Sequence, residues 1–231
     1  MMKNRVLPIL AIVFAVLSLV TIHAQKADDE IKRMTDASTV LDEIMGAADK
    51  AVPRSVMEKA AGIAVFPSLI KGGLGVGGQR GHGVLSVRNK NGGWSNPAFL
   101  TITGGSVGAQ FGLQAIDLVL VIQNQRGLEQ LVKNQFKVGA DAGVAAGPVG
   151  REASASTDIQ MRAQILSYSR SRGLFAGVTL NGSTIRQDRD ANERFYTVGY
   201  RTGQIVFDGM GTATDPAAVD AWKATLTKYA K

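Results

Sequence analysis

The stretch Lys71-Gly72-Gly73-Leu74-Gly75-Val76-Gly77-Gly78-Gln79-Arg80-Gly81-His82-Gly83 contains seven glycines in thirteen positions. Glycine is selected where the backbone needs a positive φ, or where another backbone or a ligand comes too close for a Cβ. The run is therefore typical of either a phosphate-binding loop or crowded β-structure. The residues on either side of it distinguish between the two.

Those flanking residues exclude two nucleotide-binding motifs. The spacing of Gly73, Gly75 and Gly78 matches the dinucleotide fingerprint, which needs a helix directly after the glycines and an acidic residue about 20 positions later. A strand pattern at Val84 to Val87 follows instead, and no acidic residue occurs between the run and Asp117. A Walker A loop is excluded because the lysine of this run precedes its glycines. We therefore expect tightly packed β-structure or turns.

Apolar residues alternate over much of the chain, which predicts strands. Ile63 to Phe66 is predicted as a buried strand that ends at Pro67, and Asn181-Gly182 is the strongest short hairpin signal. The other predicted strands are Val84–Arg88 and Trp94–Thr103, which form a hairpin, then Phe111–Ile122, Met161–Tyr168, Leu174–Leu180, Ser183–Ile185 and Gln204–Phe207.

Helical spacing predicts three longer helices and one short one. The first covers residues 28–49 and is amphipathic, with apolar residues at Ile31, Met34, Leu41, Met45 and Ala48. The others are Pro53–Ala60, Gly127–Phe136 and a final helix capped by Asp215-Pro216 with an apolar stripe of Val219, Trp222, Leu226 and Tyr229. Together the elements predict an α+β fold, mainly an antiparallel β-sheet or barrel-like core, with an N-terminal amphipathic helix, one inserted helix and a C-terminal helix. No linker divides it, so residues 25–231 are expected to form a single domain.

The first 24 residues have the three parts of a secretory signal: cationic Lys3 and Arg5, an apolar run from Val6 to Ile22, and a small residue, Ala24, before the polarity changes. An uncleaved anchor is the alternative, because this run is long for a cleaved signal. We therefore expect an exported protein that is located in the periplasm, in the envelope, in the medium or at a membrane. Without these residues the formal charge falls from +7 by two to +5, which favours anionic partners.

Few catalytic chemistries fit the composition. The absence of cysteine excludes thiol catalysis and thiolate metal sites, and His82 alone in the mature chain cannot supply a metal site, so neither a metal nor a cofactor is expected. Gly104-Gly105-Ser106-Val107-Gly108 matches the G-x-S-x-G motif of hydrolases, but the histidine precedes Ser106 instead of following it. Nucleic-acid binding is not expected, since the aromatic residues are dispersed and no dense basic stripe occurs.

The remaining candidate site residues are charged. Lys71, Arg80, Arg88 and Arg151 stand beside glycines or turns, where they can reach an anion such as a phosphate. Asp117 lies in an apolar strand, so it either pairs with an arginine as a structural device or lines a site.

The chain also resembles a known family over about residues 40–199. Its ordered landmarks are Ala61-Gly62-Ile63-Ala64-Val65-Phe66-Pro67, the glycine run to Gly83-Val84-Leu85, Trp94-Ser95-x-Pro97, Gly105-Ser106-x-Gly108-x-Gln110-x-Gly112 leading to Asp117, Gly147-Pro148-x-Gly150-Arg151, Tyr168-Ser169-x-Ser171-x-Gly173-Leu174-Phe175-Ala176-Gly177, and Asn192 with Tyr196. This set resembles the SYLF lipid-binding domain, also described as actin-regulator-like. The resemblance implies a non-enzymatic domain that binds phospholipids, phosphoinositides in eukaryotic members, some of which also bind actin. The export signal and the acidic start of the first helix make this chain more similar to exported bacterial members, and they argue against actin as a ligand.

The leading hypothesis is non-enzymatic binding of anionic phospholipid at a cell-envelope membrane, through Lys71, Arg80, Arg88 and Arg151 and the apolar face of the 28–49 helix. A second hypothesis is an envelope structural or protein-interaction module in which that helix contacts a partner chain. A third, a hydrolase with Ser106 as nucleophile, is the least favoured.

Overall fold

The computed structural model describes residues 28–47, 52–74, 76–107, 112–149, 163–171, 174–177, 180 and 182–230. They form an α+β fold in which one mostly antiparallel sheet curls into a half-barrel. Its strands are β1 (Gly62–Leu74), β2 (Val76–Val87), β3 (Ala98–Val107), β4 (Gly112–Ile122), β5 (Gln135–Lys137), β6 (Val144–Ala146), β7 (Ile165–Ser171), β8 (Leu174–Gly177) and β9 (Ser183–Gln187). The strand order is β5-β9-β3-β2-β1-β4-β7-β6, and β8 also pairs with β7. The predicted fold class is confirmed.

Six described helices pack against this sheet. They are α1 (residues 28–46), α2 (Arg54–Glu58), α3 (Gln125–Leu131), α4 (Arg189–Tyr196), α5 (Thr202–Val206) and α6 (Pro216–Tyr229). Among these helices, none combines the length and the apolar character needed to cross a bilayer. The predicted signal segment, residues 1–24, lies outside the described residues.

The glycine run forms the ends of β1 and β2, which pair as an antiparallel hairpin. β1 does not end at Pro67 as predicted, because a β-bulge carries it past the proline and on through the glycines. A Cβ at Gly83 would lie 2.5 Å from the Phe66 ring and 2.7 Å from the carbonyl oxygen of Val65. This glycine is therefore needed for close packing at the bulge, as expected for crowded β-structure.

Helix α1 crosses the sheet and is part of the core. Its buried side chains include Met34, Leu41 and Ile44, whereas Ile31 and Met45, two of the predicted apolar positions, are only partly buried. The apolar face predicted to contact a membrane or a partner is thus covered by the protein's own sheet. That part of both binding hypotheses is corrected, because a side chain already packed in the core cannot contact a second surface.

Helix α6 confirms the prediction for the C-terminus. The Asp215 carboxylate accepts a hydrogen bond from the backbone N–H of Ala218 at 3.0 Å, which caps the first turn. On the buried face of the helix, Trp222 Nε1 donates to Ser86 Oγ of β2 at 2.9 Å.

Three predictions in the second half of the chain are wrong. The strands around Asn181-Gly182 do not pair with each other, because β8 pairs with β7 while β9 lies between β3 and β5. Gln204–Phe207 is not a strand, since Gln204 lies within α5. The predicted helix Gly127–Phe136 ends at Leu131, and Phe136 belongs to β5.

Candidate anion-binding face

One face of the sheet is open beyond the region that α1 and α4 cover. The register aligns outward-facing positions across β1, β2, β3, β9 and β5, since residues two apart share a face and paired residues lie side by side. We call these positions the open face. They are exposed or half-buried, and they are Ile70, Gly72, Gly78, Arg80, His82, Thr101, Thr103, Gly105, Thr184, Arg186, Gln135 and Lys137.

The open face carries three permanent positive charges, on Arg80, Arg186 and Lys137. Arg80 and Lys137 stand in one row, separated by Thr103 and Thr184, so about 14 Å of sheet lies between them at the usual strand spacing. Arg186 NH2 donates to Gln135 Oε1 at 3.3 Å, a neutral partner that leaves the charge uncompensated. None of the twelve described positions of this face carries a carboxylate.

Lys71 does not join this group. It pairs with Gln79, one position along from the Ile70–Arg80 pair, and its side chain therefore points to the opposite face from Arg80. Lys71 is half-buried there, and burial lowers the pKa of its ammonium group. A single headgroup held between Lys71 and Arg80 is thus incompatible with the strand register.

Arg88 makes its contacts within the protein itself. Its guanidinium donates to the carbonyl oxygens of Ala60 at 3.1 Å and Ala230 at 2.7 Å, and more weakly to those of Gly92 and Glu58. Its Cζ also lies 4.7 Å from the centre of the Trp94 ring. Its donors thus join the end of α2, the β2–β3 connection and the end of α6, so little remains to bind an anion.

Of two further predicted residues, Arg151 and Ser106, the structure describes the backbone of Ser106 alone. Arg151 lies outside the described residues, so its role stays a prediction. Ser106 belongs to β3, opposite Gly77 of β2, and not to the strand-to-helix turn that a nucleophile elbow requires.

Asp117 has an arginine partner, the first of the two alternatives for this residue. Its carboxylate accepts hydrogen bonds from Arg170 Nε at 2.9 Å and NH2 at 2.7 Å, directly across from it on β7. It also accepts from the backbone N–H of Ser68 at 3.0 Å, a bulge residue with φ of 51°. Arg170 additionally pairs with Glu43. Asp117 therefore supports the bulge, and its partner Arg170 links β4 and β7 to α1.

A groove borders the open face where α1 rises above the β1–β2 hairpin. Its volume is about 890 Å³, and one flank of α1 lines it through Asp29, Lys32, Arg33 and Asp36 at helical spacing. Its floor is formed by the hairpin, from Pro67 to Gly72 and from Gly78 to His82.

Two partly buried ion pairs hold the start of α1 beside the groove. The Asp188 carboxylate accepts from Arg33 NH1 at 3.1 Å, contacts His82 Nδ1 at 3.2 Å and caps α4 at the backbone N–H of Ala191. Burial acts to raise the pKa of Asp188, but Arg33, His82 and Ala191 outweigh it, so the net pKa is lowered.

The second pair joins fully buried Glu30 of α1 to Arg194 of α4, at 2.6 Å. Burial raises the pKa of Glu30 despite this arginine. Both pairs fix one wall of the groove to the sheet and to α4.

Sequence reasoning missed Arg186 and Lys137 as site residues. Their only local signal is the alternation of polar with apolar residues in Ser183–Gln187 and Gln135–Lys137, which marks them as outward-facing. That they share one face of the sheet with Arg80 follows only from the pairing of β9 with both β3 and β5.

Comparison with known proteins adds independent information. The family profile "Ysc84: Las17-binding protein actin regulator" matches residues 103–229. The chain is 32% identical over 208 residues to SH3 domain-containing YSC84-like protein 1 of Bos taurus, covering 90% of this chain and 58% of the relative. It is 34% identical over 176 residues to LAS seventeen-binding protein 3 of Saccharomyces cerevisiae, covering 75% of this chain and 38% of the relative. The chain therefore spans less than two thirds of these relatives, and the resemblance to the SYLF domain is confirmed.

Proposed function

The chain belongs to the Ysc84 family, described as Las17-binding actin regulators, and we propose that within this family of binding proteins it is a non-catalytic module whose open face binds an anionic phospholipid surface. The observation that carries this proposal is the charge of the open face. Arg80, Arg186 and Lys137 lie on the same face of β2, β9 and β5, and no carboxylate occupies the described positions between them.

The shape of the face suits a membrane surface. Threonines lie between the cations and glycines form the next row of the open face, so that short or absent side chains let a flat array of headgroups approach the backbone. A lysine or arginine close to an anionic membrane contributes about 1 kcal/mol, and the attraction falls off within a Debye length. Three such cations support salt-sensitive, reversible attachment.

Vesicle co-sedimentation of the full chain tests the proposal. The vesicles contain either phosphatidylglycerol with phosphatidylcholine or phosphatidylcholine alone, at low and high salt. The variant Arg80→Gln/Lys137→Gln/Arg186→Gln is expected to bind the anionic vesicles roughly 100-fold more weakly, because three contributions of about 1 kcal/mol are removed. High salt should remove most of this difference.

A matched variant, Arg54→Gln/Lys59→Gln/Lys90→Gln, loses the same charge from the opposite end of the strands, where all three residues are exposed. Residues 1–24 are identical in the wild type and in both variants, so any contribution of theirs to vesicle binding cancels in the comparison. Equal losses in the two triple variants would show that net charge alone attracts the vesicles and would refute a role for the open face.

A protein partner with an acidic surface is the second candidate function. The family description favours it, since it names binding to a protein, and the same three cations would meet that surface. In that case the open-face variant loses a co-purifying acidic protein, while vesicle binding equals that of the matched variant.

A further inference from the structure

The groove between α1 and the β1–β2 hairpin has an apolar side that no described residue covers. Ile70 lies on its floor with 56% of its surface exposed, the largest value among the large apolar residues that the structure describes. Pro67 adds apolar surface at the bulge, and Gly72 and Gly78 leave the neighbouring backbone bare. Exposed apolar surface inside a concave site is the usual lining of a small-molecule pocket.

The groove also has a charged side, and its cations differ in what they contact. Arg33 is paired with Asp188, Arg194 with Glu30, and Lys32 with Asp36 on the next turn of α1. Those charges are compensated by carboxylates of the protein itself.

Arg80 is different. It stands directly across from Ile70 on the neighbouring strand, and among the described residues its guanidinium has no ion-pair or hydrogen-bond partner. An uncompensated guanidinium thus lies beside exposed hydrocarbon in the same groove. A ligand complementary to both must carry a negative charge at one end and a hydrocarbon chain at the other.

We propose that this groove binds one anionic lipid molecule, with its acyl chain over Ile70 and the glycine floor and its headgroup oxygens at Arg80. The proposal deepens the proposed function and rests on it, since the groove opens onto the open face, but it differs in kind. Surface attachment involves many headgroups and no specific contact with an acyl chain, whereas the groove encloses part of a single lipid molecule. Affinity should therefore depend on chain length, rising about fourfold for each methylene buried.

Photo-crosslinking on the full chain tests this proposal directly. The probes are octyl and dodecyl phosphate with a diazirine at the end of the chain, each below its critical micelle concentration, and labelled peptides are identified by mass spectrometry. Dodecyl phosphate is expected to label peptides that line the groove, with higher affinity than octyl phosphate. Label on residues 1–24 is identified separately and does not count.

Two variants and their controls define the expected pattern. Gly78→Leu fills the groove, and the fold can accept it because a Cβ there would have only ordinary contact, 3.7 Å from the carbonyl oxygen of Gly104. It should lower groove labelling at least tenfold, whereas Ala221→Leu on the exposed side of α6 should not. Arg80→Gln should weaken labelling by dodecyl phosphate but not by a neutral dodecyl maltoside probe, and Lys90→Gln should change neither.

Two results would overturn the proposal: groove labelling that is unchanged in Gly78→Leu, and label that maps only outside the groove. Vesicle binding is measured on the same proteins, so the two proposals can fail separately. Vesicle binding that depends on the open face, without groove labelling, refutes the groove site alone. Groove labelling with no vesicle binding supports the groove site and refutes surface attachment.

Discussion

Arg80 and Arg88 are eight positions apart, yet their guanidinium groups have opposite environments. Arg80 is exposed and contacts no described acceptor, whereas Arg88 donates to backbone carbonyls and stacks on Trp94. Arg88 donates to carbonyl oxygens at the ends of α2 and α6 and in the β2–β3 connection, so its role is to stabilise the fold. A cation left free on a surface is available to a ligand. The two arginines differ in their contacts in the folded protein, whereas the sequence alone predicted the same anion-binding role for both.

Replacing Arg88 with methionine should therefore destabilise the protein. Hydrogen bonds from a charged donor contribute about 1.5 to 3 kcal/mol, and the variant also leaves partly buried carbonyls of Ala60 and Ala230 without a donor. We expect the free energy of unfolding in urea to fall by about 3 kcal/mol. Arg80→Met, the matched control, should change it by less than about 0.5 kcal/mol, as is usual for exposed positions. Equal effects would contradict the structural role of Arg88.

The glycines of the run and of β3 also divide into two kinds. A Cβ at Gly83 would overlap the Phe66 ring and the Val65 carbonyl, while a Cβ at Gly105 would have nothing within 4 Å. We expect Gly83→Ala to cost about 2 to 3 kcal/mol, as overpacking does. Gly105→Ala should be neutral or stabilise by up to about 1 kcal/mol, since alanine restricts the unfolded chain. Thermal and urea unfolding of both variants measure this, and a stable Gly83→Ala protein would refute the packing requirement.

At the scale of elements, α1 is held by charge at its start and by apolar packing along its length. Met34, Leu41 and Ile44 anchor it in the core, and Arg33 and Glu30 join it to α4 through Asp188 and Arg194. This attachment shapes the groove, because the same turns of α1 provide one of its walls. Substitutions in these ion pairs should therefore alter both the free energy of unfolding and the shape of the groove.

The Asp188 pair makes the stability contributed by α1 dependent on pH. The net pKa of Asp188 is below the unfolded value of about 3.9. The folded state thus binds fewer protons than the unfolded state, so the stabilisation is complete above the unfolded pKa and is lost as the pH falls through the folded one. Glu30 has the opposite sign, since its raised pKa favours the folded state as the pH falls.

The measurement is therefore the difference between wild type and Asp188→Asn. Asparagine can still cap α4, so the substitution removes the charge and keeps the cap. The wild-type advantage in urea unfolding should be constant above about pH 5 and shrink steadily below pH 4. An advantage that is undiminished between pH 5 and pH 2 would show that the Asp188 charge does not stabilise the contact with Arg33.

At the scale of the whole molecule, the sequence predicted those parts that depend on local pattern. β1 to β4 alternate or are continuously apolar, and α6 has both a cap and a stripe, so each was recognised. Helix α4 was missed because its residues, Arg189–Tyr196, are mostly polar, and it is stabilised by buried Asn192 and Phe195 against Phe99 of β3. Tertiary contacts of this kind leave no periodic signal.

The open face could not be predicted for a related reason. Gly182 does lie in a turn, with φ of 82°, but the strands before and after it pair elsewhere. Only the long-range pairing of β9 with β3 and β5 brings Arg186 and Lys137 onto the same face of the sheet as Arg80. The sequence shows that these three residues are cationic, whereas their arrangement on one surface depends on the order of the strands in the sheet.

One core joins the two ends of the described chain, and this predicts how the molecule unfolds. Trp94 lies on the connection from β2 to β3 and Trp222 on α6, and both are buried in the same apolar cluster as α1 and the sheet. A domain with one shared core unfolds cooperatively. In urea, the fluorescence of Trp94→Phe, which reports Trp222, and of Trp222→Phe, which reports Trp94, should each change together with far-UV circular dichroism of the same variant. If the Trp222 signal changes at a lower urea concentration than the dichroism of its own variant, α6 separates from the sheet before the core unfolds, and the single-core description is wrong.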